Sequence, residues 1–118
     1  MDFKEPDYAW MDGQFVKWSE AKVSILTHAL HYGTGVFEGI RAYPSDDNLY
    51  VFRLGDHMQR LLHSARVYYM DTEYTVEELS NAAVELLRRN KIREMAYIRP
   101  IIYAVSYTHL RAHETGRN

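Results

Sequence analysis

Residues 27–43 read THALHYGTGVFEGIRAY, and three glycines fall within seven positions of this segment. Glycine lets a backbone turn sharply or approach a ligand closely, so Gly33, Gly35 and Gly39 predict a tight passage of the chain. Three rings, one acid and one guanidinium accompany them: Tyr32, Phe37, Glu38, Arg41 and Tyr43. Such side chains suit the enclosure of a small ligand with a carboxylate and an apolar tail. They equally suit packing around a glycine-rich turn and a core strand, and the pattern leaves both interpretations open.

Residues 36–43 are predicted to form a strand whose two faces differ. Side chains alternate between the faces of a strand, which places four residues on each side. Both faces are mixed in character, as in a strand that packs on one side and lines a site on the other. One face carries Val36, Glu38, Ile40 and Ala42, and the other carries Phe37, Gly39, Arg41 and Tyr43.

Further strands are predicted around this one. Residues 8–10 and 15–18 flank an Asp-Gly pair at 12–13, which is typical of a β-hairpin turn. Residues 22–26 form a candidate strand. The turn-rich stretch 44–48 joins the central strand to another at 49–52. Residues 95–99 return to a strand, which Pro100 limits to an edge or bulge position.

Two helices are predicted between these strands. From about residue 54 to 68, Met58, Leu61, Leu62 and Ala65 recur at helical spacing. A second helix begins after Thr75, because Thr-Val-Glu-Glu is a capping-box pattern. Strands clustered before helices predict an α+β fold, with a mainly antiparallel sheet and two helices packed on it.

Composition narrows the class of protein. The length of 118 residues is that of one domain. A net charge of -2 gives no electrostatic reason to expect nucleic acid or an anionic membrane as a partner. No apolar run is long enough to cross a bilayer, and the absence of cysteine removes disulfides and thiolate chemistry. We therefore expect a cytoplasmic protein.

Two histidine pairs raise the question of a metal site. His28 and His31 are three residues apart, and His109 and His113 are four apart. Neither pair has a third ligand nearby, so packing or capping histidines are the preferred interpretation and no metal is expected.

Three other residues are candidates for binding an anion. Arg60 lies one step off the apolar stripe of its helix and points either toward a site or toward water. Tyr97 and Arg99 share one face of a strand, where a phenol and a guanidinium suit a carboxylate. An exposed arginine beside a half-buried tyrosine is the alternative.

The run from His28 to Tyr43 resembles the signature of branched-chain aminotransferases, in the fold-type-IV group of pyridoxal phosphate enzymes. Residues 10–13, 51–53, 57–61 and 96–100 also resemble that family in order and spacing, and the resemblance covers about residues 6–104. It implies that residues 1–104 are the N-terminal small domain of such an enzyme, cut off before its second domain. Residues 105–118 are then expected to be an artefactual or disordered tail.

The resemblance also implies roles for five residues. Arg60 would bind the phosphate of pyridoxal 5'-phosphate, and Phe37 would line the pocket for the branched side chain. Tyr97 and Arg99 would help to accept the substrate carboxylate. Tyr32 would lie near the active site of the partner subunit, since the family assembles as homodimers or larger oligomers. The implied reaction exchanges the amino group of leucine, isoleucine or valine with 2-oxoglutarate.

The lysine content limits these expectations. The family's Schiff-base lysine and the glutamate that pairs with the pyridine nitrogen are expected in a second domain. This sequence has Lys4, Lys17, Lys22 and Lys91, and none has a motif-like context. No catalytic residue is therefore expected in this chain, which should be inactive alone. A D-amino-acid aminotransferase or aminodeoxychorismate lyase of the same fold, and a non-catalytic stand-alone binding domain, remain alternatives.

Overall fold

The computed structural model describes residues 4–106, so the predictions made for His109, His113 and residues 107–118 lie outside the described part of the chain. The described residues form seven strands, three α-helices and one 3₁₀ turn. Their order is β1 (Tyr8–Met11), β2 (Gln14–Lys17), a 3₁₀ turn (Trp18–Glu20), α1 (His28–Tyr32), β3 (Gly35–Phe37), β4 (Ile40–Ser45), β5 (Asn48–Val51), α2 (Leu54–Val67), α3 (Val76–Arg89), β6 (Ala96–Ile98) and β7 (Ile101–Tyr103). The predicted α+β class is confirmed.

All strand pairs are antiparallel, as predicted, but they form three small sheets in place of one. The sheets are β1–β2, β3–β7 and β5–β4–β6. The predicted central strand 36–43 is divided between β3 and β4. Its pairing register nevertheless continues across the break, because Phe37 pairs with Ile101 and Ile40 pairs with Ile98, three residues further on each strand.

Pro100 explains the interruption. Proline has no backbone N–H and cannot donate a ladder hydrogen bond. The backbone carbonyl of Pro100 still accepts from the N–H of Glu38 at 3.2 Å, which keeps the two chains side by side through the break. The ladder is therefore interrupted locally while the alternation of faces is preserved.

The hairpin at the N-terminal end forms as predicted. Asp12 and Gly13 take positive φ angles of 52° and 88°, which an Asp-Gly turn accommodates. The candidate strand at residues 22–26 is wrong. Those residues lead into a turn with Ile25 81% exposed, and α1, which was not predicted, follows directly. A short apolar run with no partner edge in reach cannot form a strand, since its backbone groups would stay unpaired.

Both long helices are confirmed, and they bury the faces that the sequence indicated. In α2, Met58, Leu61 and Ala65 are buried, and this helix packs on α3, β3 and β7. The N-terminus of α3 has the predicted capping box, with Thr75 Oγ1 accepting from the Glu78 N–H at 3.1 Å. The Glu78 carboxylate accepts in turn from the Thr75 N–H at 2.9 Å.

One hydrophobic core lies between the helices and strands. It consists of Val36, Ile40, Met58, Leu61, Ala65, Met70, Leu79, Ala83 and Ala104. The longest helices have 14 residues, and within residues 4–106 none is long and apolar enough to span a membrane. The core fixes one face of the strand 36–43 and leaves the opposite face free to build a site.

Candidate functional site

Three of the residues expected to bind substrate meet on the outer face of the sheet. The Arg99 guanidinium carbon lies 4.2 Å from the ring centroid of Phe37. Arg99 Nη2 donates to the Tyr97 hydroxyl at 2.7 Å, and the same guanidinium lies 5.3 Å from the Tyr97 ring. The pairing register continues from β3–β7 to β4–β6. It therefore places the residues that follow Phe37 opposite those that follow Ile98, and this brings Arg99 beside Phe37.

Gly39 allows Tyr97 to lie flat against the sheet. A Cβ built at position 39 would collide with the Tyr97 hydroxyl and would lie 3.1 Å from the Tyr97 ring carbon Cζ. The close approach predicted from the glycines therefore occurs at this position. Gly33 serves a different purpose, because its φ of 68° ends α1 in the left-handed conformation.

The opposite face of the same strand carries a buried acid. Glu38 is only 7% exposed, whereas its neighbours along the chain are open to solvent. Its carboxylate accepts from Arg60 Nε at 2.9 Å and from Arg60 Nη2 at 2.7 Å. A further hydrogen bond of 2.9 Å joins the same carboxylate to His57 Nδ1. Both partners lie on α2, three residues apart on one side of the helix.

The two charges stabilise each other. The hydrogen bond from Arg60 is the main cause that holds the pKa of Glu38 below its usual value, against the opposing effect of burial, and His57 adds to the lowering. The hydrogen bond to Glu38 likewise raises the pKa of Arg60. Both groups are therefore charged at neutral pH. The side chain of Arg60 is 65% exposed, so its guanidinium is open to an anion from solvent.

Tyr32 lies apart from the Phe37–Tyr97–Arg99 cluster. It ends α1 with an exposed side chain, and its ring packs on that of His28 at a centroid distance of 4.4 Å. His28 Nδ1 is hydrogen-bonded to Thr34 Oγ1 at 2.8 Å, and His31 Nε2 to the Ile25 carbonyl at 2.7 Å. The two histidines thus order this turn. In the part of the chain that the structure describes, no three potential ligands gather to hold a metal.

The four lysines are all exposed. None lies in the sheltered position that a nucleophilic amine requires. The residues concerned are Lys4, Lys17, Lys22 and Lys91.

Sequence reasoning named Glu38 only among the side chains around the glycines, gave it no specific role, and did not select His57. A signal was present, because the predicted alternation placed Glu38 on the same face as three apolar residues. An acid facing a core needs a cationic or hydrogen-bonding partner. The helix at 54–68 offered His57 and Arg60 at helical spacing, and the two observations together would have indicated the pairing.

Comparison with known proteins identifies the family. The chain matches the family described as amino-transferase class IV over residues 35–115. It is 47% identical over 103 residues to the branched-chain-amino-acid aminotransferase of Escherichia coli (strain K12), a match that covers 87% of this chain and 33% of that protein.

Two solved structures have the same fold as the described residues. One is a branched-chain aminotransferase from the thermophilic archaea Thermoproteus uzoniensis with norvaline, at a TM-score of 0.82 and 53% identity, covering 86% of this chain and 34% of that one. The other is a T.th. branched-chain amino acid aminotransferase with pyridoxamine 5'-phosphate, at a TM-score of 0.80 and 47% identity, covering 84% and 33%. The chain thus spans about a third of the length of these relatives. With a family match over more than half of its residues and the same small α+β fold, this chain belongs to the class IV amino-transferases.

Proposed function

We propose that residues 1–104 are the small domain of a branched-chain aminotransferase and form one wall of its cofactor and substrate site. The observation that carries this proposal is the Phe37–Tyr97–Arg99 cluster, which places an apolar ring beside a paired phenol and guanidinium. An amino acid with a branched side chain and a carboxylate needs both surfaces close together. The relatives that support the proposal are all branched-chain aminotransferases.

Arg60 fits the phosphate of pyridoxal 5'-phosphate. Its exposed guanidinium keeps N–H groups that Glu38 does not use, and a planar, permanently charged fork suits a phosphate oxyanion. One relative was crystallised with pyridoxamine 5'-phosphate, the amino form of this cofactor. When bound, the cofactor serves as the electron sink for amino-group exchange. The lysine and the glutamate that would hold it are expected in a second domain.

The cluster on the outer sheet face would orient the substrate. Phe37 offers an apolar, half-open ring to the side chain of leucine, isoleucine or valine. Tyr97 and Arg99 offer a hydroxyl and a charged fork to the carboxylate of the amino acid or of 2-oxoglutarate. Arg99 is fixed by its contacts with both rings, so little side-chain freedom is left to lose on binding.

We also propose a cytoplasmic homo-oligomer in which Tyr32 contributes to the site of the neighbouring subunit. The surface around α1 supports this assignment, because Ile25, Leu26, Leu30 and Tyr32 are all exposed. Clustered apolar side chains of this kind mark protein interfaces. We propose that the small domain ends at residue 104, with the Val105 carbonyl still accepting from the His28 N–H at 2.9 Å and the following residues outside the domain.

A chimaera tests the proposal directly. Residues 6–104 of this chain would replace the matching segment of the Escherichia coli relative, and the product is called the chimaera below. We expect it to transaminate L-leucine with 2-oxoglutarate, whereas the 118-residue chain alone should not. The unmodified Escherichia coli protein is the matched control. A chimaera that folds and binds cofactor but lacks activity on all three branched-chain amino acids would contradict the proposal.

The same chimaera separates the alternatives. Activity with D-alanine and none with L-leucine would favour a D-amino-acid aminotransferase. Lyase activity on aminodeoxychorismate would favour an aminodeoxychorismate lyase. If the chain is a stand-alone binding domain, it should bind a small carboxylate by itself as tightly as the chimaera does. Isothermal titration of the chain with 4-methyl-2-oxopentanoate measures that affinity, and we expect much weaker binding than in the chimaera.

A further inference from the structure

We infer that Glu38 is a positioning residue, which holds one edge of the Arg60 guanidinium so that the other edge is presented to the cofactor phosphate. The inference rests on the proposed function, because it takes Arg60 as the phosphate ligand. It assigns a role to a residue that touches neither the phosphate nor the substrate.

The hydrogen-bonding pattern defines which edge is held. Arg60 Nε and Nη2 both donate to Glu38, at 2.9 and 2.7 Å, in a side-on fork. A guanidinium has five N–H groups, so two on Nη1 and one on Nη2 remain. Of these, one N–H on Nη1 and one on Nη2 form the Nη1–Nη2 edge (the far edge), where they can meet two oxygens of a phosphate.

Burial distinguishes this pair from an ordinary surface ion pair. The Glu38 carboxylate is 7% exposed, and its backbone N–H is bonded to Pro100 in the interrupted ladder. His57 Nδ1 gives the carboxylate a second donor from the same helix at 2.9 Å. The acid is thus fixed at its backbone and at its head group. By contrast, the Arg89–Glu85 pair on α3 spans 3.4 Å between two partly exposed side chains.

The carboxylate affects phosphate binding in two opposite ways. It orders a long side chain that would otherwise lose rotamer freedom on binding, and it also offsets the positive charge of Arg60. Glu38 occupies the Nε–Nη2 edge and a phosphate would occupy the Nη1–Nη2 edge, so the two anions share only Nη2 and contact different edges of the guanidinium. The side chain of Arg60 is 65% exposed, and solvent screens that longer-range repulsion. The hydrogen bonds at the far edge act at contact distance, so the ordering effect should dominate.

Nuclear magnetic resonance of the 118-residue chain tests the pair and its consequence separately. In the ligand-free chain, the Arg60 Nε–H signal should be shifted from the position of a free arginine and protected from solvent exchange. It should lose both properties in Glu38→Gln and keep them in Glu85→Gln, which removes the exposed ion pair on α3 as a matched control. Circular dichroism of each variant establishes that the fold is retained.

Titration with pyridoxamine 5'-phosphate then measures the effect on phosphate binding. This probe has no aldehyde and does not react with the lysines, and pyridoxamine is its phosphate-free counterpart. We expect Glu38→Gln to weaken binding of the phosphorylated probe about fivefold and to leave binding of pyridoxamine unchanged. A change that affects both probes alike would indicate a merely structural role. His57→Gln should produce a smaller loss in the same direction.

The outcomes identify which statement fails. Equal or tighter binding of pyridoxamine 5'-phosphate to Glu38→Gln would overturn the positioning role, because Glu38 would then act only by neutralising Arg60. If the probe perturbs no Arg60 signal in the unmodified chain, the proposed phosphate ligand itself is wrong and the inference fails with it. Should Glu38→Gln unfold, the same titrations on Glu38→Asp decide, since its shorter carboxylate should lose the side-on fork and weaken only phosphate-dependent binding.

Discussion

The guanidinium of Arg99 lies 4.2 Å from the ring centroid of Phe37. Phe37 ends β3, and Arg99 lies in the interrupted ladder between β6 and β7. A cation over an aromatic face is attracted by the ring quadrupole, and the pair is open to solvent on its outer side. The contact holds a charged group against the surface proposed to take the apolar part of the substrate, and we therefore expect recognition of the two ends of that molecule to be coupled.

Replacing Arg99 by lysine should weaken carboxylate binding. Lysine keeps the charge but loses the planar fork that contacts both rings and the Tyr97 hydroxyl. In the chimaera we expect KM for 2-oxoglutarate to rise about tenfold or more. Steady-state kinetics with L-leucine as donor measures this change. The exposed Arg93→Lys serves as the control, and equal effects of the two substitutions would refute a specific role for Arg99.

Two glycine substitutions make a matched pair. In Gly39→Ala the new Cβ meets the Tyr97 hydroxyl, so the ring must move or the strand must shift, and we expect a loss of about 1–3 kcal/mol. In Gly55→Ala nothing lies within 4 Å, and helix propensity should stabilise α2 by about 0.5 kcal/mol. Urea denaturation of the 118-residue chain gives both free energies of unfolding. The interpretation fails if Gly39→Ala is as harmless as Gly55→Ala.

The buried acid makes stability depend on pH in a defined direction. The pKa of Glu38 is lowered from 4.5 in the folded chain, chiefly by the Arg60 hydrogen bond. Its contribution is therefore complete above pH 4.5 and is lost as the pH falls through the lower, folded pKa. Urea midpoints measured between neutral and acidic pH should show this decline. In Glu38→Gln that part of the decline should be absent, and an identical pH profile for both proteins would contradict the assignment.

A single amide ties the N-terminal hairpin to the end of α3. Asn90 Oδ1 accepts from the backbone N–H of Asp7 at 2.8 Å and of Tyr8 at 2.9 Å. Asn90 Nδ2 donates to the carbonyls of Tyr8 and Leu86, each at 3.1 Å. Asn90→Ala removes all four bonds and should cost about 1–3 kcal/mol of unfolding free energy.

Hydrogen exchange checks where this loss is felt. The amides of Asp7 and Tyr8 should exchange faster in Asn90→Ala, while those in the middle of α2 should change only by the global loss of stability. Asn81→Ala, at an exposed position on α3, is the control. Unchanged protection of the two hairpin amides would show that packing of β1, and not the Asn90 side chain, holds the hairpin in place.

Much of the local structure could be predicted because it depends on neighbours in sequence. The Asp12-Gly13 turn, the Thr75 capping box and the apolar stripe of α2 all follow from contacts within a few residues. The strand at 22–26 was wrong for the complementary reason. An apolar run becomes a strand only if a partner edge is available, and the chain leads instead into a turn with its apolar groups exposed.

The sequence alone determined the alternation of residues 36–43, and with it which side chains share a face. It also determined the family, through a motif and its spacing. Only the tertiary structure decided that Arg99 meets Phe37 and that Glu38 holds Arg60 and His57. These contacts join residues far apart in the chain, so they depend on how strands register and on how α2 packs. The local conformational preferences of residues determine neither strand register nor helix packing.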